Sequence, residues 1–185
     1  MIANGAGRAG DIGAGGSDRF RHFSTLGQKA RIGRQAERDL EIALGIHRLQ
    51  AGVAEIVAAG DCVVQVCSHS FTPELNGHVR TADVGMLYDP GRPGEVAFAT
   101  AWIDALKGAD PTLRLRRNYP YIGKSDGVAQ VLRRAHPADA YVGIELEVNQ
   151  RYVEAGGPAW PKIRRTLVET LAVALQVRGG TGPDG

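Results

Sequence analysis

Only two of the 185 residues are cysteine, Cys62 and Cys67. Five positions apart in a β-rich run, they point to opposite faces and cannot easily pair. Two free thiols in a reducing compartment are expected. Long apolar runs are also lacking, and nothing approaches the roughly twenty residues that span a bilayer. The N-terminus, MIANGAGRAGDIGAGGSDR, lacks the apolar centre of a secretory signal. The expectation is a cytoplasmic protein with no membrane partner. Charge of one sign is scarce too: 22 Lys and Arg stand against 20 Asp and Glu, so bulk electrostatics gives no argument for nucleic acid. Arg114, Arg116, Arg117, Arg133 and Arg134 form a basic group, but aromatics make up only 6% of the chain and no recognition motif accompanies the group. Solvated faces or contacts to an anionic substrate are expected instead.

The chain is long enough for one domain with a core. Residues 1–19 carry almost no large apolar side chain and read as a disordered tail, as do residues 179–185. Residues 20–178 read as a single α/β domain. Ile42, Ile46, Leu49, Val53, Ile56 and Val57 recur at helical spacing, predicting a helix over about 30–59 that stops at Gly60. The β-rich run from Cys62 to Cys67 follows, then a short strand at Val84–Tyr88. A second helix is predicted over about 94–107, with Ala99, Trp102, Ile103 and Leu106 on one face. Leu113 and Leu115 alternate with Arg114 and Arg116 as in a strand. Asn118–Gly127 is a Gly-punctuated loop, and Val128, Val131 and Leu132 mark a short helix ending before Pro137. Ala140–Val148 reads as a strand with Val142, Ile144, Leu146 and Val148 on one side. The last helix starts near Pro158 or Pro161 and is expected to bury Trp160, Ile163, Leu167, Leu171 and Leu175. Strands separated by helices imply a mainly parallel sheet flanked by helices.

Ligands in such sheets gather beyond the carboxyl ends of the strands. Two strands end there in functional groups. CSHSFTPELNG delivers Ser68, His69 and Ser70, and IELEVNQ delivers Glu145 and Glu147, which share a face because they are two apart. His69 is a candidate metal ligand, a candidate base or a satisfied polar residue. A paired Glu-x-Glu on a strand is more often a solvated surface, but a central strand would bury it and require partners. A histidine and a carboxylate at neighbouring strand ends suit metal-assisted hydrolysis.

Three blocks, HSFTPELNGHVRTADVGMLYDP, RRNYPYIGKSDG and YVGIELEVNQ, together resemble the N-formylglutamate amidohydrolase family. The resemblance covers about 20–178 and is strongest over 61–152. It implies a fold of the phosphorylase/hydrolase type, similar to zinc-dependent exopeptidases and aspartoacylase-like deacylases. It implies zinc as cofactor, with His69 as a metal ligand and Glu147 as general base. Glu145 would have at most a supporting role. Arg80 would pair with a substrate carboxylate, against the alternative of a salt bridge to Asp83 or a neighbour. Asn118 and Tyr121 would line the pocket, though Tyr121 is equally a packing residue. The implied substrate is a small acidic N-acyl amino acid.

The family's earlier strand and its His-Gly-Gly or His-Ser-Gly loop have no counterpart here, so the domain is expected to be incomplete at its N-terminus. The chain would be a truncated version, a degenerate relative, or one whose start lies upstream. Zinc sites of this kind need three protein ligands, and the match supplies one. His22, His47 and His78 are the substitutes weighed. The rival expectation is a catalytically silent remnant or binding domain that has lost its metal. A missing strand also predicts an exposed sheet edge and self-association.

Overall fold

The computed structural model describes residues 43–124 and 127–179. The expected tail over 1–19 and residues 180–185 of the expected C-terminal tail lie outside them, as does His22. The chain divides into two units, residues 1–49 and 50–185, and the division falls inside the stretch 20–178 expected as one domain. In the first unit, residues 43–49 are helical. The second unit holds the sheet.

This unit is an α/β fold. Its sheet has the order β1-β6-β4-β5, with β1 at Val63–Phe71, β4 at Val84–Leu87, β5 at Leu115–Arg117 and β6 at Tyr141–Asn149. Strands β1 and β6 are parallel, as are β4 and β5, and β4 runs antiparallel to β6. The expected mainly parallel sheet is present, with one reversal, because β1 reaches β4 through a hairpin rather than a crossover helix. That hairpin, β2 (Glu74–Leu75) and β3 (His78–Val79), turns on Asn76-Gly77, both at positive φ (52° and 77°). Asn-Gly favours this because neither residue pays heavily for the left-handed region.

Alternation on β6 sorts the two faces. Val142, Ile144, Leu146 and Val148 join Val84 and Met86 in the main core. Helices α2 (Pro93–Ala109) and α5 (Ala159–Gly179) pack there through Phe98, Ala99, Trp102, Ile103 and Leu106 of α2 and Ile163, Leu167 and Ala174 of α5. Trp102 Nε1 donates to Thr170 Oγ1 at 3.1 Å, which satisfies the one polar atom of the buried indole. Leu175, expected in the core, is 44% exposed. The buried stripe of α5 runs 163, 167, 170, 174, and residue 175 sits about 100° further round the helix.

The opposite face carries α1 (residues 50–58, helical) and α3 (Gly127–Ala135), where Val53, Leu132 and Tyr141 form a small second core. Ile56 points outward, 46% exposed. Cys62 lies just outside β1, so only Cys67 is a strand residue, and the two do not form a disulfide with each other. The short helix α4 (Arg151–Glu154) has no counterpart in the sequence expectation. No helix among the described residues is long and apolar enough to cross a membrane.

Candidate functional site

The α3 face of the sheet turns polar toward the carboxyl ends of β1 and β6. His69 lies directly beside Glu147 in the parallel ladder, and Gly85 lies beside Glu147 on its other side. The row His69–Glu147–Gly85 therefore crosses three strands, with neighbouring backbones about 4.8 Å apart. The row below it is Cys67–Glu145–Leu87.

Glu147 is 5% exposed, and its Oε2 has no hydrogen-bond partner among the described residues. Burial raises its carboxyl above the usual range, opposed by the positive charge of His69, reinforced by Glu145 and opposed again by Arg80. A buried carboxylate oxygen without a donor costs about 1–3 kcal/mol, so its retention points to use. His69, on an edge strand of the described sheet, is exposed. The pair thus joins a shielded carboxylate to an accessible imidazole. Cys67 is a poor nucleophile here: burial and then the charge of Glu145 push its thiol up, and the thiolate is the reactive form.

A loop roofs this row. The Tyr119 carbonyl oxygen would lie 1.7 Å from a Cβ at Gly85, so only glycine lets the loop settle there. Asn118, at φ 47°, accepts through Oδ1 from the amides of Tyr88 (3.1 Å) and Gly123 (3.2 Å). Expected to line the pocket, Asn118 has this oxygen engaged in closing the loop. Tyr121 is 53% exposed, with its ring centroid 5.7 Å from the Arg80 guanidinium carbon. Phe71 approaches the same guanidinium at 5.9 Å.

Arg80 makes no ion pair among the described residues. The alternative partner, Asp83, is taken: it accepts from the Arg114 amide at 2.8 Å and from Tyr152 Oη at 2.7 Å, and it pairs with Arg151. The backbone of Arg80 is held on both sides. Its amide donates to Pro73 O at 2.7 Å, and its carbonyl accepts from Asn149 Nδ2 at 3.0 Å. Sequence reasoning missed Asn149, which is fully buried and also donates to Ala82 O at 2.8 Å. Its position directly after Glu147-Val148 at a strand end was the available signal. A free cation between two rings, beside a shielded carboxylate, is suited to a ligand carboxylate.

The implied zinc centre fares differently. Among the described residues no three His, Cys, Asp or Glu side chains are grouped so as to hold a metal ion. His78 is exposed on the hairpin, and His47 is exposed on the helical stretch of the first unit. The described donors do not fit a three-ligand zinc site. A cleft of about 290 Å³ lined by Ser68, His69, Ser70, Val148 and Trp160 opens beside β1, but Glu147 and Arg80 are not among its walls.

Arg133, expected on a solvated face or against an anionic substrate, is buried. Its guanidinium grips Glu95 through two bonds, Nε to Oε1 at 2.8 Å and Nη2 to Oε2 at 2.9 Å. The apolar neighbours Val128 and Leu132 gave no hint, because its partner lies 38 residues away.

No family model matches the chain, and no curated protein does. Solved structures do. The gene product Atu2144 from Agrobacterium tumefaciens is 31% identical with a TM-score of 0.56, the match covering 72% of this chain and 50% of that one. An N-formylglutamate amidohydrolase from Ralstonia eutropha JMP134 is 19% identical with a TM-score of 0.47, covering 65% and 46%. The chain spans about half the length of either structure, and the likeness to the Agrobacterium protein agrees with the α/β fold described above.

Proposed function

We propose that the chain carries the proton-transfer and carboxylate-binding part of an amidohydrolase site for small acidic N-acyl amino acids, N-formylglutamate being the type substrate. The observation that carries this is the unpartnered, buried Oε2 of Glu147 beside His69. The resemblance of the three sequence blocks supports the substrate class. Glu147 takes a proton from water as the oxygen adds to the acyl carbon. It then returns that proton to the leaving nitrogen as the C–N bond breaks, giving formate and the free amine. A carboxyl pushed up by burial is a stronger base near neutrality. Arg80 anchors the substrate carboxylate. His69 remains the proposed metal ligand, and further donors would have to come from outside the described residues.

A second reading is a domain that binds such acids without turning them over. The shortage of grouped metal donors among the described residues favours it. Deformylation of N-formylglutamate by the purified chain, together with metal analysis, decides between them. For the enzyme, Glu147→Gln lowers turnover by about 10²–10⁴-fold, and Arg80→Ala raises KM by roughly ten- to a hundredfold through loss of a charged hydrogen bond. Tight binding without turnover, weakened by Arg80→Ala but not by Glu147→Gln, establishes the binding domain. Neither binding nor turnover sinks both.

A further inference from the structure

We propose that Arg133 is a positioning residue that bolts the 118–123 loop over the Glu147 row and, through Tyr121, orients Arg80. This rests on the functional reading above for its consequence, but not for its geometry. Strand pairing between β4 and β6 ends at Leu87 and Glu145, so Gly143 has no β4 partner. Its amide donates to Glu95 Oε1 at 3.2 Å, and its carbonyl accepts from Arg133 Nη2 at 3.0 Å. The ion pair stands where the neighbouring strand would have continued.

The remaining arm of Arg133 does something else. Nη1 donates to the Gly123 carbonyl at 2.5 Å. Gly123 is pressed against the end of β4, where a Cβ would meet the Tyr88 nitrogen at 2.3 Å, and its amide returns to Asn118. The loop is therefore closed on itself by Asn118 and fixed to the buried Glu95 by Arg133. Tyr121, midway along it, contacts Arg80. No other side chain bonds the Gly123 carbonyl among the described residues.

Arg133→Lys keeps a cation beside Glu95 but cannot hold a bidentate carboxylate and the Gly123 carbonyl together. Hydrogen exchange at the Tyr88 and Gly123 amides is expected to accelerate about tenfold or more, while the Ile144–Val148 amides keep their protection. The Kd for N-formylglutamate is expected to rise roughly tenfold, and adding Tyr121→Ala is expected to weaken binding little further, because the two changes act through one contact. Unchanged exchange at Tyr88 and Gly123 overturns the proposal. So does equal acceleration across β6, which would make Arg133 a strut of the whole sheet, and so does full additivity with Tyr121→Ala. A wild-type chain that binds no N-formylglutamate defeats the functional reading, while the exchange comparison still decides whether Arg133 bolts the loop.

Discussion

Glu147 on β6 and Glu95 of α2 beside it are both buried carboxylates, and they are treated in opposite ways. Glu95, with no exposure, accepts from the Asp89 amide at 2.7 Å, from Gly143 and twice from Arg133. Arg92 adds a further ion contact at 3.3 Å. Glu147, also buried at 5% exposure, keeps one oxygen without a donor among the described residues. Burial is costly for both, and the difference lies in compensation. A saturated carboxylate holds structure, whereas an unsaturated one keeps an acceptor unused within the described residues. Burial alone would not have told the two apart.

The largest expected effect tests the saturated side. Arg133→Ala leaves Glu95 without its principal counter-charge, and the fold should lose about 3–5 kcal/mol in urea denaturation. A loss under about 1 kcal/mol would mean that Arg92 alone suffices, and the contrast between the two carboxylates would weaken.

A smaller effect probes the roof over Glu147. Gly85→Ala puts a methyl group onto the Tyr119 carbonyl, and the overpacking should cost about 1–3 kcal/mol. Gly108→Ala is the control. It sits in α2 with nothing within 4 Å of its Cβ and no positive φ, and should be neutral or stabilising by about 0.5–1 kcal/mol. Equal behaviour of the two variants in thermal melts would show that the loop does not rest on Gly85.

Much of this contrast was legible in the sequence, but unevenly. The alternation of Val142, Ile144, Leu146 and Val148 already placed Glu145 and Glu147 on the other face, and the flanking helices implied that β6 is central. The pairing of His69 with Glu147 needed the register, which is a long-range property. Arg133 and Glu95 were illegible for the same reason, since a buried arginine looks in sequence like any helix-surface arginine. Asn118 was noticed for its place in a motif, yet what it does depends on where Tyr88 and Gly123 arrive. The β4 reversal was missed because the connection from β1 is a hairpin, and Asn76-Gly77 was its one local signal. The scarcity of metal donors was visible early as a missing motif, and the described residues do not make it good.

The smallest expected effect concerns the stability cost of Glu147. Its carboxyl is raised in the folded state, so folding favours the protonated form. The unfolded chain releases that proton first as pH rises, and the fold loses stability from the ordinary carboxylate range up through the raised value. Glu147→Gln removes the charge and the penalty together. At pH 7 the variant should be more stable than the parent by about 1 kcal/mol, with the advantage shrinking as pH is lowered below the usual glutamate range. Paired denaturation curves at pH 7 and near pH 4 measure this difference directly, because the other carboxylates titrate in both proteins and cancel. Greater stability joined to lost turnover is the signature of a carboxylate kept for function. A variant less stable than the parent at pH 7 would mean that Glu147 is satisfied after all, and the contrast with Glu95 would collapse.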